Sequence, residues 1–354
     1  MIRVLVVDDS IFMRKALTMI LDEDPEVQVV DAARNGKEAL EKVEALQPDV
    51  VTMDVEMPVM DGLTALKHIM AKFPRPVVMV SSLTREGAET TIQALQAGAV
   101  DFIPKIRNFI GPEGMALKKQ LVEKVKAAAR ARTQALRKRP SLGHKPPAPG
   151  RMPAVGNLAP QVIAIGVSTG GPFALQKVIP QLPADFPCPV LIVQHMPPHF
   201  TRSLAERLNE LSPLCVVEAK QGMLVEAGHV YIAPGGKHMT VSGRAALTLR
   251  ISEEPAETLH RPSVDVMFTS VAQAVGRKVL AVVMTGMGKD GLEGARVIKR
   301  MGGKVWAQDE ASSVVYGMPK AVKEANLADV VLSLEQIPLA LAKAVGLKSA
   351  VSSA

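Results

Sequence analysis

Short runs of aliphatic and β-branched residues recur along the chain, each followed by a stretch whose apolar positions return every three or four residues. In the first part the runs are IRVLVV, VQVVDAA, DVVTMD, PVVMVSS and VDFIPK, and helix-period stretches follow at residues 10–22, 36–46, 62–72, 86–97 and 115–136. Apolar runs without polar alternation imply strands covered on both faces, so five βα units around a parallel sheet are expected here. The pattern restarts with VIAIGVS, a helix from Pro172, PVLIVQH and a helix over 200–211. HVYIAP, HMTVSG and ALTLRI then read as a short antiparallel excursion. Two more βα units follow, VLAVVMTGMG with a helix from Gly291 and GGKVWAQD with a helix from about Pro319. This half is expected to be a doubly wound, mostly parallel α/β sheet. Between the halves a Lys/Arg/Ala-rich helical pattern gives way, after Arg139, to PSLGHKPPAPGRMPAVG, too rich in proline and glycine to pack. The expected division is therefore a first domain over 1–125, a basic helix end and linker over 126–158, and a second domain over 159–347.

A length of 354 residues suits two such domains. The net charge of +7 is local, because residues 118–151 carry eleven Lys or Arg against the single acid Glu123. Such a run reads as a solvated helix end and tether. With aromatics at 3% there are few rings on which bases stack, so no nucleic-acid partner is expected. Two cysteines, Cys188 and Cys215, are too few for a disulfide framework or a Cys-based zinc site and point to a reducing, cytoplasmic setting. No apolar run reaches the ~18 residues of a spanning helix, and MIRVLVVDDS has no basic region before its apolar stretch.

In an open parallel sheet chemistry gathers at the carboxyl ends of the strands. In the first half those ends carry Asp8 and Asp9, Asp54, Ser81 and Ser82, and Lys105. Each acid taken alone reads equally well as a helix cap. Together, three carboxylates within ~4 Å repel by roughly 1–4 kcal/mol per pair and call for a cation, and hard oxygen ligands suit Mg²⁺. A carboxylate at such a site is a nucleophile toward phosphorus, with a lysine for the phosphoryl charge and a hydroxyl to hydrogen-bond it.

VLVVDDS, VTMDVEMPVMDG, VVMVSS and AVDFIPK resemble the receiver domain of two-component response regulators, a flavodoxin-like (βα)5 fold. The resemblance implies that Asp54 is the phosphoacceptor, and that Asp9, Asp54 and the backbone carbonyl of Glu56 hold Mg²⁺ with Asp8 assisting. It further implies that Ser81, Phe102 and Lys105 transmit the change. Ile106 departs from the pattern, since receivers usually carry proline after the lysine.

In the second half the strand ends supply Ser168, His195 and, within TGMGKDG, Asp290. A serine hydroxyl needs a base, the base of suitable pKa is histidine, and the histidine needs a carboxylate to fix its tautomer. GVSTGGP also reads as a phosphate cradle, but it lacks the P-loop lysine and the G-x-G-x-x-G spacing. His199 is the main decoy for the base, lying past Pro197 and Pro198, and Asp265 in HRPSVDVMF is the rival for the acid. The chain order Ser, His, Asp differs from that of α/β-hydrolases and of the common serine proteases.

GVSTGGP, IVQHMPPHFTRSLAERL, YIAPGGKHM, HRPSVDVMF, MTGMGKDG and YGMPKAV resemble the catalytic domain of the chemotaxis protein-glutamate methylesterases, the CheB family. The resemblance implies a triad of Ser168, His195 and Asp290, with Thr169 and Met287 lining the site and the Met287 N–H helping to bind an oxyanion. It implies hydrolysis of glutamate methyl esters, and deamidation of glutamines, on methyl-accepting chemotaxis receptors. A CheA-like histidine kinase would supply the phosphoryl group, and the unphosphorylated receiver would cover the Ser168 cleft. No cofactor is expected for the ester chemistry. The alternative is a response regulator whose second half binds a partner or DNA and catalyses nothing. The nucleophile turn and the lack of a helix-turn-helix pattern argue against it.

Overall fold

The computed structural model describes residues 1–105, 111–137, 156–243 and 246–347, and its contacts divide the chain into two compact units, Met1–His144 and Lys145–Ala354. The first unit holds strands β1 (Ile2–Val7), β2 (Val27–Ala33), β3 (Val50–Asp54), β4 (Val77–Ser81) and β5 (Asp101–Pro104). Its helices are α1 (Ile11–Asp22), α2 (Gly36–Leu46), α3 (Gly62–Lys72), α4 (Arg85–Gln96) and α5 (Gly111–Arg137). All strand pairs are parallel, in the order β2-β1-β3-β4-β5. The strand order reverses between β1 and β3, and the carboxyl ends of these two strands frame the crevice where ligands bind such sheets. The helices start where short polar side chains meet free N–H groups: Ser10, Asn35, Asp61 and Thr84 accept from Met13, Glu38, Thr64 and Gly87. Val4, Val6, Val50, Val78, Val80 and Ile103 meet Leu17, Leu21, Leu121 and Val125 in one core. The expected boundary at 125 falls inside α5, and Ala127 and Ala128 beyond it are still buried. Packing of that helix against the sheet carries the unit further than the loss of pattern suggests. Ile106 and most of the expected linker lie outside the described residues.

The second unit begins with β6 (Val162–Val167), α6 (Gly171–Val178), β7 (Val190–Gln194), α7 (Phe200–Leu211), β8 (Cys215–Glu218) and β9 (His229–Ile232). β10 (His238–Ser242), β11 (Thr248–Ser252), α8 (Val264–Val275), β12 (Val279–Val283) and α9 (Leu292–Arg300) follow. β13 (Lys304–Gln308), α10 (Met318–Glu324), β14 (Val330–Leu332) and α11 (Ile337–Ala344) complete it. Seven strands form a parallel sheet in the order β14-β13-β12-β6-β7-β9-β8, and β10 and β11 pair antiparallel beside it. HVYI, expected in the antiparallel excursion, is instead a parallel strand between β7 and β8. β8, β14, α8 and α11 have no counterpart among the elements expected from the pattern. The sheet reverses direction at β6, whose neighbours are β7 and β12, so the carboxyl ends of these three strands enclose the ligand-binding crevice.

Candidate active site and phosphoryl site

The nucleophile turn follows from glycine geometry. β6 ends at Val167, and the Ser168 carbonyl accepts from the Gly171 N–H at 2.8 Å, closing a four-residue turn. Gly170 sits at φ 77°, ψ −1°, the third position of a type II turn and a conformation that disfavours any Cβ. The next strand end is in register, Val167 opposite Gln194, so Ser168 and His195 leave adjacent strands side by side. The His195 N–H donates to the Val167 carbonyl at 3.2 Å, and the Ser168 N–H donates to the Thr285 carbonyl, just past β12, at 3.0 Å. The turn carrying Met287 lies against the nucleophile, because a Cβ placed on Gly286 would come within 2.8 Å of the Ser168 Cβ. Thr169 is buried, its carbonyl held by the Thr285 hydroxyl at 2.9 Å.

His195 and Asp290 meet at 2.7 Å, Nε2 to Oδ2, with both side chains about nine-tenths buried. The other ring nitrogen, Nδ1, is buried without a partner among the described residues. The ring is therefore turned end for end relative to the serine-protease arrangement, in which the carboxylate takes Nδ1. Asp290 also accepts from the Ser263 hydroxyl and from the N–H groups of Val264, Asp265 and Gly291, at 2.7–3.1 Å. Val264 and Asp265 open α8, so the carboxylate sits at a helix N-terminus, where unpaired N–H groups favour an anion. Burial pushes the Asp290 pKa up. The hydrogen bond and charge of His195, with the N–H groups of Asp265 and Val264, outweigh it and hold the carboxyl well below the usual range.

Asp265, the rival acid, is a partner of a different kind. It accepts from the N–H groups of Gly291 at 2.9 Å and Gly294 at 2.7 Å, at the start of α9. Asp290 thus caps α8, the helix that carries Asp265, and Asp265 caps α9, the helix that follows Asp290. Burial first, then the neighbouring Asp290 charge, pushes Asp265 up to about 6. His260 stacks on the His195 ring, centroids 4.1 Å apart and planes at 22°. Fully buried His238 accepts from the Ser263 N–H through Nδ1 at 3.2 Å. His199 is exposed, at the N-cap of α7. His260, Ser263 and Gln194 were not legible as site residues. The one signal available was Gln194, a polar residue closing the apolar run VLIVQ.

In the first unit Asp8 and Asp54 are fully buried and Asp9 is exposed, with carboxylate oxygens of all three within 4.8 Å of one another. Ser10 N–H donates to Asp8 Oδ1 at 2.9 Å, while Asp8 Oδ2 is buried without a partner among the described residues, so the cluster has free oxygen for a hard cation and fits Mg²⁺. Arg14 braces the acidic turn by donating to the Asp8 and Asp9 carbonyls at 2.6 and 2.9 Å. Lys105 Nζ donates to Asp54 Oδ2 at 2.7 Å. Burial pushes Asp54 up to about 6, with Lys105 pulling it down and Asp8 pushing it further up. Exposed Glu56 donates its N–H to Asp54 Oδ1 at 3.4 Å. A cleft of 560 Å³ lined in part by Asp9, Glu56, Met57 and Thr90 opens beside the cluster. The Ser81 hydroxyl donates to the Gly87 carbonyl of α4 at 3.1 Å. Phe102 is 3% exposed, its ring under Lys124 Nζ at 5.3 Å.

Among the described residues no helix is long and apolar enough to cross a membrane. Residues 163–341 match the family model of the CheB methylesterase, and residues 4–109 that of the response regulator receiver domain. The chain is 48% identical over 367 residues to the protein-glutamate methylesterase/protein-glutamine glutaminase 1 of Oleidesulfovibrio alaskensis, covering 98% of this chain and 100% of that one. It is 45% identical over 377 residues to protein-glutamate methylesterase/protein-glutamine glutaminase 3 of Pseudomonas syringae pv. syringae, covering 95% and 97%. The solved catalytic domain of the Thermotoga maritima CheB methylesterase is 44% identical with a TM-score of 0.50, covering 51% of this chain and 97% of that one.

Proposed function

The chain belongs to the CheB methylesterase family, with a response regulator receiver domain ahead of the catalytic domain, and from that premise we propose that it is a phosphorylation-activated hydrolase of chemoreceptors. It removes methyl esters from receptor glutamates as methanol and deamidates receptor glutamines. Ser168 Oγ attacks the side-chain carbonyl, and His195 Nδ1 takes the serine proton and returns it to the departing methanol or ammonia. Asp290, held ionised at the start of α8, keeps the Nε2–H in place and stabilises the imidazolium. Water then repeats the sequence on the acyl enzyme. The Met287 N–H and the nucleophile turn beside Thr169 serve the oxyanion, where one donor is typically worth ~3 to 4 kcal/mol. The observation that carries this reading is the 2.7 Å His195–Asp290 contact beside the strand end that bears Ser168.

The receiver supplies control. Asp54 is the phosphoacceptor for a CheA-like histidine kinase, and Asp9, Asp54 and the Glu56 carbonyl, with Asp8 assisting, would hold a Mg²⁺ that would supply charge neutralisation for phosphoryl transfer. Lys105 then pairs with the phosphoryl group, Ser81 leaves the Gly87 carbonyl to bond it, and Phe102 follows. Phosphorylation of the receiver raises hydrolysis at Ser168, and the protein works in the cytoplasm, where both substrate helices and kinase are found. Methanol release from methylated receptor membranes, with and without a small-molecule phosphodonor, tests the reading. Stimulated release by the wild type and none by Ser168→Ala is expected. Undiminished release by Ser168→Ala overturns the nucleophile assignment.

A further inference from the structure

Gln194 closes β7, is 2% exposed, and touches both halves of the nucleophile–base pair at once. Its Nε2 donates to the Ser168 carbonyl at 3.0 Å and to the His195 carbonyl at 3.2 Å. Two carbonyls on one side dictate which way the amide faces, because the reversed amide would set its oxygen against both. Its own Oε1 is buried with no hydrogen-bond partner among the described residues. Leaving a buried amide oxygen unpaired costs ~1–3 kcal/mol, so an apolar side chain would serve the core better, and the use of this amide lies in what its NH₂ group holds. The site is cut to fit it: a Cβ on Gly171 would come within 2.0 Å of the Gln194 oxygen.

We infer that Gln194 is a positioning residue for the hydrolysis, a single amide that sets the spacing of the Ser168 and His195 main chains. The inference rests on the proposed ester hydrolysis by Ser168. The two ends of the serine peptide unit are tied to different strands. Its N–H is bonded to Thr285 after β12, and its carbonyl is bonded through Gln194 to β7, the strand that carries His195. Thr285 is itself fixed by a second buried glutamine, Gln308, whose Oε1 accepts the Thr285 N–H at 2.8 Å. Without the Gln194 amide, Ser168 keeps its tie to β12 and its turn with Gly171, but the side-chain bracket that joins it to the base is lost. Small errors in such alignment are costly, since displacements of ~1 Å lower turnover about 100-fold.

The test uses the full-length chain with a phosphodonor. Gln194→Met keeps the volume and removes both donors, and Gln194→Asn keeps an amide one methylene too short to reach both carbonyls. Two readouts are taken: kcat and KM for methanol release from methylated receptor membranes, and the rate at which a fluorophosphonate modifies Ser168, which needs no receptor. For Gln194→Met, kcat is expected to fall about 30- to 100-fold with KM within about twofold and an unaltered melting curve. The fluorophosphonate rate should fall in parallel, and Gln194→Asn should lie between. A folded Gln194→Met with kcat and fluorophosphonate rate within about threefold of wild type, or with its loss confined to KM, overturns the inference. If Gln194→Met does not fold, Gln194→Asn decides by the same criteria. Wild-type protein that reacts with fluorophosphonate but releases no methanol would sink the proposed function, leaving the rate ratio to judge Gln194.

Discussion

Asp290 and Asp265 differ by which N–H groups they face, and that difference assigns their work. Asp290 holds His195, so Asp290→Asn should lower kcat at least 100-fold by presenting the wrong partner to Nε2. The Asp265 carboxylate accepts from the start of α9 and not from the histidine, so Asp265→Asn should lower kcat much less, and parallel methanol-release assays compare the two. Asp54 makes the opposite statement about pH. Its carboxyl is pushed up to about 6, so the folded state binds its proton more tightly than the unfolded chain does. That group therefore subtracts stability as pH rises from about 4 to about 6, and the loss persists above. Asp54→Asn should raise the receiver's melting temperature at pH 7 in the presence of a chelator and have no stabilising effect near pH 4, read by thermal melts. Val59 is strained in another way, a β-branched residue at φ 69° and 80% exposed. Val59→Gly should stabilise the chain by about 0.5–1 kcal/mol in denaturant titrations.

At the scale of elements, close approach of α8 and α9 makes the reciprocal capping possible. A Cβ on Gly294 would fall 2.6 Å from the Phe268 Cβ and 3.1 Å from the Asp265 main chain. Gly294→Ala must push the helices apart, and so should cost about 1–3 kcal/mol in chemical denaturation and lower kcat together. The α8 helix, absent from the elements expected, nonetheless carries a helical period: Val264, Met267, Phe268, Val271 and Ala272 are buried at i, i+3, i+4, i+7 and i+8, while Asp265, Thr269 and Gln273 return every four residues on a less buried face. HVYI was read as antiparallel for a different reason. Four residues state that a strand exists, but pairing with β7 and β8 is a choice among partners distant in sequence.

For the whole molecule, each unit has its own core, and the solved Thermotoga maritima domain corresponds to the second unit alone. A chain beginning at residue 156 should therefore fold, and in methanol-release assays it should run faster than the unphosphorylated full chain and ignore a phosphodonor. A truncated enzyme no faster than the unphosphorylated full chain would show that the receiver does not inhibit the Ser168 site.

The order of most strands and helices, the acids at the ends of β1 and β3, and the serine, histidine and aspartate after β6, β7 and β12 were written locally. Apolar runs and the polar residues that stop them follow from burial on two faces, which needs no knowledge of partners. What only the folded chain decided is how groups far apart in sequence face one another. The ring of His195 turned its Nε2 to Asp290, His260 came to stack on it, Asp265 went to cap α9, and one amide on β7 reached two main chains. Those are properties of distance and orientation, set by how close the packed sheet and helices bring them.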